Sequence, residues 1–162
     1  METPIGLLKI TGNENGISKI SITENGIISQ NIPKNLIEAV SQIQEYFLGN
    51  RKEFNLKINP SGTLFQQQVW AALCDIPFGK TISYLELAKK IGDPKVIRAA
   101  ASANGKNPLL LVVPCHRVIG TDGSLTGFSA GLWRKKWLLE HENPTNQVSL
   151  FLILKRYLYK LS

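Results

Sequence analysis

Apolar and polar positions alternate over "GLLKIT" (residues 6–11) and again over "ISKISIT" (residues 17–23), and this period of two predicts a pair of strands. "GNENG" between them ends in Asn15-Gly16, a pair that tolerates the positive φ of a tight hairpin turn, and a second such pair occurs at Asn25-Gly26. The period then lengthens. In "NLIEAVSQIQEYFLGN" (residues 35–50), Leu36, Val40, Ile43 and Phe47 recur at helical spacing, with Gly49 as the stop. "FNLKI" returns to alternation, with Phe54, Leu56 and Ile58 against Asn55 and Lys57, and reads as a half-buried strand. "NPSG" (residues 59–62) is turn chemistry and marks a domain boundary.

Helical signals dominate the chain beyond residue 62. Thr63 with Gln66, and Ser83 with Glu86, have the spacing of capping boxes opening "FQQQVWAALCDI" and "YLELAKKI". Gly92 closes the second of these helices. Asp93-Pro94 opens a third, "KVIRAAASA", ending at Asn104-Gly105. Two short helices joined this closely resemble a helix-turn-helix, although ordinary helical corners look the same. "TDGS" (residues 121–124) after "HRVI" reads as the turn of a wing, and "LWRKKWLLEH" as a final helix. In the tail, Leu150, Ile153, Leu154, Tyr157, Leu158 and Leu161 form an amphipathic stripe, so residues 146–162 are expected to be helical.

Charge adds a partner to this picture. The net charge is +7, unevenly spread: six Lys/Arg balance six Glu in residues 1–58, whereas residues 59–145 carry ten basic and six acidic side chains. Such a surface attracts a polyanion such as nucleic acid. No apolar stretch approaches the ~20 residues of a membrane span, and the start "METPIGLLKI" lacks the basic, apolar pattern of a secretion signal. The only two cysteines, Cys74 and Cys115, have no disulfide-framework spacing, so an intracellular, reducing location is expected. Cys74 reads as a small buried apolar residue.

Cys115 does not. It comes after five aliphatic residues (Leu109 to Val113) and Pro114, and precedes His116 and Arg117 in "PCHRVIG". A histidine can favour the thiolate, which is a strong nucleophile, if a carboxylate orients the ring. "EHEN" offers Glu140 and Glu142. A cysteine hydrolase is one reading, but adjacent Cys and His on an extended segment point apart. A metal site is another, yet two cysteines and two histidines in the whole chain give a thin ligand supply. Thiolate attack on an electrophilic alkyl carbon is the third.

"PCHRVIG", with "ISYLELAKKIGDPKVIRAAASANGKNP" before it and "GFSAGLWRKKWLLEHE" after it, resembles the O6-alkylguanine-DNA alkyltransferases, the methylated-DNA–protein-cysteine methyltransferases. The match spans residues 65–142, with a weaker extension to "TPIGLLKI". The resemblance implies an α+β protein: a small ribonuclease-H-like domain over residues 1–58, then a winged helix-turn-helix over 63–145. It implies a base flipped from double-stranded DNA and an alkyl group moved irreversibly from O6-alkylguanine, with O4-alkylthymine as a second candidate, onto the protein's own cysteine. Cys115 would be the acceptor, His116 its base through a water, and Glu142 the orienter of His116. Tyr84 would protonate the departing base, and Asn107 would brace the active-site segment. Backbone groups around Val118 and Ser129, and the wall formed by Phe128 where tyrosine is frequent, would hold the base. Arg98 would fill the vacated stack. The short residues Ala99, Ala101 and Ser102, together with Asn104, would lie in the minor groove.

The zinc that some relatives carry in the first domain has no ligands here, because no cysteine or histidine precedes Cys74. No metal or cofactor is expected, since the substrate brings its own alkyl group, and the chain is expected to act as a monomer without a membrane partner. A non-catalytic binder of alkylated DNA, or a transcriptional regulator, is the alternative. Relatives that only bind replace the cysteine that this chain retains.

Overall fold

The computed structural model describes residues 1–144, so the expected tail helix at 146–162 lies outside the described residues. β1 (Glu2–Thr3), β2 (Gly6–Asn13) and β3 (Gly16–Thr23) form an antiparallel sheet in that order. The register slips between Thr11 and Gly12, which pair with Lys19 and Ile17 and leave Ser18 as the extra residue. This bulge breaks strict alternation and lets both Ile17 and Ile20 face the core. Gly16 closes the hairpin at φ +127°, where an added Cβ would stand 2.8 Å from the Lys57 carbonyl. After Asn25-Gly26 no strand returns; an exposed segment leads to α1 (Ile37–Phe47).

The buried stripe of α1 is Ala39, Gln42, Ile43, Tyr46 and Phe47. It is rotated from the face that hydrophobicity alone predicts, because two of its members are polar and find partners. The Gln42 amide donates to the Asn55 carbonyl at 3.0 Å and accepts from the Asn55 N–H at 2.9 Å. That capture explains why residues 54–58 are not the expected strand. Their side chains do alternate, but the Asn55 backbone is committed to Gln42, and only Ile58 makes a bridge, to Ile17.

Both expected capping boxes form. Thr63 and Gln66 exchange bonds of 3.1 and 3.0 Å at the start of α2 (Leu64–Cys74). Ser83 and Glu86 do so at 3.0 and 2.7 Å for α3 (Tyr84–Ile91). Gly92, at φ +111°, ends α3; Asp93 then caps a 3-10 turn that runs into α4 (Ile97–Gly105). The helices α2, α3 and α4 pack around Trp70, Leu73, Leu87, Ala100 and Ala103, with α3 and α4 as the helix-turn-helix. β4 (Ile82–Ser83) pairs in parallel with β5 (Val118–Ile119). The turn at Asp122-Gly123 closes, with Gly120 N–H bonded to the Ser124 carbonyl at 2.8 Å, but a loop rather than a strand leads from it to α5 (Leu132–Glu142).

The two halves share one core. The aliphatic run 109–113 is almost wholly buried, yet it is not a strand; it folds through successive turns, with Leu111 at φ +77°. Its start is stitched to the free edge of β3, where Ile20 N–H bonds to the Pro108 carbonyl at 2.8 Å and Leu110 N–H to the Ile20 carbonyl at 3.2 Å. The first domain thereby holds the segment that carries Cys115.

Candidate active site

Cys115, His116 and Arg117 occupy a single 3-10 turn, not an extended segment. Successive residues in such a turn are rotated by about 120°, so the Cys115 and His116 side chains diverge less than the opposed neighbours of an extended segment. Asparagines fix the turn from behind. Asn107 donates to the Val113 carbonyl at 2.7 Å and accepts from the Leu109 N–H at 2.9 Å, and Asn104 reaches the Cys115 carbonyl at 3.5 Å. Asn107 thus ties Leu109 to Val113 within the segment that leads to Cys115.

Glu142, at the end of α5, is only 5% exposed and collects donors from three directions. Oε1 receives His116 Nε2 at 2.6 Å, the Tyr46 hydroxyl at 2.7 Å and Arg117 Nη2 at 2.9 Å; Oε2 receives Arg117 Nε at 2.8 Å and the Gly79 N–H at 3.4 Å. Burial opposes the charge, but the bonds and charges of His116 and Arg117 outweigh it and hold the carboxyl far below the usual carboxylate range. A carboxylate can only accept, so His116 Nε2 carries the hydrogen. Burial lowers the pKa of His116 despite Glu142, leaving the ring neutral and Nδ1 a bare lone pair. Nδ1 is buried and has no partner among the described residues. Glu140, by contrast, is exposed and only faces Lys136 across one helical turn.

The thiol of Cys115 belongs to a residue 6% exposed. Burial raises its pKa; the neighbouring Asn107 amide and the charge of Lys135 pull the other way. Lys135, fully buried on α5, is not among the residues the sequence nominates. Its Nζ donates to the Thr126 carbonyl at 2.8 Å and lies 5.7 Å from the Tyr84 ring centre, and burial brings its pKa down to about 8. The Tyr84 hydroxyl donates to the same carbonyl at 3.0 Å, and burial raises its pKa. Gly127 comes next at φ +67°, where an added Cβ would stand 3.0 Å from that hydroxyl. Phe128 is buried and Ser129 exposed on the same loop. Val118 is buried, and its N–H is committed to the Cys115 carbonyl, so only its own carbonyl is left to meet a base.

On α4, Arg98, Ala99 and Ser102 are exposed and Ala101 is half-buried. Asn104 departs from the expected DNA face. It is 1% exposed and turned inward to the Cys115 carbonyl, because the short Ala100 and Ala103 bring that side of the helix against the core. Cys74 departs as well: it is exposed near the end of α2, not buried.

Tyr46, Arg117 and Lys135 are the site residues that periodicity passes over. Lys135 has a readable signal, for it shares a helical face with Leu138 and Glu142 at spacings of three and four.

Residues 1–60 match the 6-O-methylguanine DNA methyltransferase ribonuclease-like domain, and residues 64–144 match the DNA binding domain of the same family. A methylated-DNA–protein-cysteine methyltransferase of Methanosarcina barkeri is 44% identical over 88% of this chain and 94% of its own length. One from Mycobacterium leprae is 41% identical over 94% of this chain and 95% of its own length. The crystal structure of Mycobacterium tuberculosis OGT in complex with DNA superposes with a TM-score of 0.82 at 41% identity, covering 93% of this chain and 94% of that one. With an α+β fold, both halves matched and relatives above 40% identity along nearly the whole length, the chain belongs to the 6-O-methylguanine DNA methyltransferase family.

Proposed function

We propose that this protein repairs O6-alkylguanine in duplex DNA by taking the alkyl group onto Cys115, once per chain. The observation that carries this reading is the bare, buried Nδ1 of His116, the residue after Cys115 in the same 3-10 turn, with Nε2 locked onto Glu142. The thiol proton passes to Nδ1 through a bridging water, and Glu142 stabilises the imidazolium that forms. The thiolate then attacks the alkyl carbon. The S–C bond forms as the C–O bond breaks, and the electron pair stays on the guanine oxygen. Tyr84, held at the Thr126 carbonyl, hands its proton to the departing base, and Lys135 next to it supplies positive charge near both thiolate and phenolate. A thioether has no low-barrier return path, so the chain reacts only once. No cofactor takes part.

The base reaches Cys115 by flipping. Arg98, Ala99, Ala101 and Ser102 present the α4 surface to the minor groove, while the Val118 carbonyl, Phe128 and Ser129 frame the pocket. Residues 1–58 form a supporting domain and 63–145 the reacting one. The protein works as a monomer in a reducing, intracellular setting, in keeping with the free thiols of Cys74 and Cys115. Among the described residues no helix is long and apolar enough to cross a membrane.

Two outcomes check this reading. Cys115→Ser abolishes transfer but leaves duplex binding close to the parent, since the thiol makes no phosphate contact. Binding itself is phosphate-driven: with about four phosphates neutralised, affinity falls on the order of a hundredfold between about 50 and about 200 mM salt. A flat salt response measured by fluorescence anisotropy would remove the basic α3–α4 surface from the interface.

A further inference from the structure

Glu142 takes its hydrogen-bond donors from both domains. Arg117 and His116 come from the 3-10 turn, the Gly79 N–H from the loop after α2, and the Tyr46 hydroxyl from α1 of the first domain. His141, next to Glu142 on α5, donates from Nε2 to the Tyr46 carbonyl at 2.7 Å. The charge of Lys135 also acts on His116, and His116 and His141 act on one another.

Arg117 already grips both carboxylate oxygens in a two-pronged bond, which fixes the plane of the carboxylate without help. The Tyr46 hydroxyl is therefore redundant for orientation, but not for charge. It donates to Oε1, the same oxygen that holds His116, and each donor on an oxygen weakens what that oxygen offers the next. Burial and Glu142 raise the Tyr46 phenol well above its ordinary value, so it remains a donor at any working pH.

We propose that Tyr46 is a positioning residue of the first domain that tunes the basicity of His116: by drawing charge from the shared Glu142 oxygen, it adds to burial in keeping the imidazole neutral and Nδ1 free to accept. This rests on reading Cys115, His116 and Glu142 as the reacting relay. It also gives the first domain a chemical role in a site whose other named residues all belong to the second.

The test uses the full chain and its two histidines, which are separable by NMR. Tyr46→Phe removes one oxygen from a ring packed among Phe47, Phe54 and Phe78. The expected result is an upward move of the His116 titration midpoint by on the order of half to one pH unit. The acid limb of the rate of Cys115 alkylation by free O6-benzylguanine should shift with it. Placing 3-fluorotyrosine at position 46, a stronger donor of the same shape, should move the midpoint down. Opposite shifts from the two changes cannot come from a loss of packing. A His116 midpoint unmoved by either variant, whatever happens to the melting temperature, overturns the role. The midpoint is read whether or not Cys115 reacts, so failure of this assignment is distinguishable from failure of the proposed reaction.

Discussion

Glu142→Ala should destabilise the protein by about 3–5 kcal/mol and abolish alkyl transfer, because removal of one partner strands buried charge. The loss would leave the His116 Nε2–H and the Tyr46 hydroxyl with no acceptor and the Arg117 guanidinium with only its Nη1 bond to the Ile76 carbonyl, all within residues 6% exposed or less. No neighbouring group replaces it: Glu140 is exposed and turned to Lys136. Glu142→Gln keeps the volume and one accepting oxygen, and should lie between parent and alanine. The pH dependence carries a definite sign. The Glu142 carboxyl is held below its unfolded value, so its stabilisation is fully present above about pH 4.3 and is lost as pH falls toward its lowered folded value. Urea unfolding at neutral and acidic pH measures both effects. The parent should weaken as pH falls below about 4.3, and the alanine variant should weaken less over the same interval. An alanine variant within about 1 kcal/mol of the parent would mean the carboxylate is not the anchor its five donors indicate.

Arg98→Ala should slow repair of duplex DNA by roughly ten- to a thousandfold while weakening binding far less. Arg98 is exposed at the first turn of α4 and forms no ion pair among the described residues, so the fold does not consume its guanidinium. A planar cation beside Ala99 and Ser102 can enter a base stack without leaving the phosphates. Extruding a base costs a few kcal/mol, and each ~1.4 kcal/mol left unsupplied is about tenfold in rate. A free O6-alkylguanine base needs no extrusion, so its transfer rate should be nearly unchanged. Single-turnover rates on both substrates decide the matter; an equal loss on the two would withdraw Arg98 from flipping and assign it to folding or chemistry.

The range over which each residue finds its partner decides how far the sequence announces it. Ser83 with Glu86 and Thr63 with Gln66 are legible because a capping box is a local exchange between neighbours three residues apart. Cys115, His116 and Glu142 are legible through a motif, and the structure brings His116 and Glu142 within 2.6 Å. Residues 54–58 alternate like a strand but do not form one, because the Asn55 backbone bonds a side chain thirteen residues earlier, a choice no periodicity encodes. Tyr46 is invisible for the same reason on a larger scale: its partner lies 96 residues away. Asn104 falls on the expected DNA face only by adjacency to Ser102, whereas the helical turn carries it to the buried side with Ala100 and Ala103. Buried polar groups satisfied at long range are where pattern reading stops, and in this protein they surround the site.

The central claim is stoichiometric transfer to one thiol, and the most direct measurement is intact mass after incubation with an O6-methylguanine duplex, then peptide mapping. The expected result is one methyl group in place of one hydrogen per chain, located on Cys115, with repair ceasing after the first equivalent of lesion. A methyl group on the exposed Cys74, an unmodified chain with repaired DNA, or repeated turnover by one chain would contradict it.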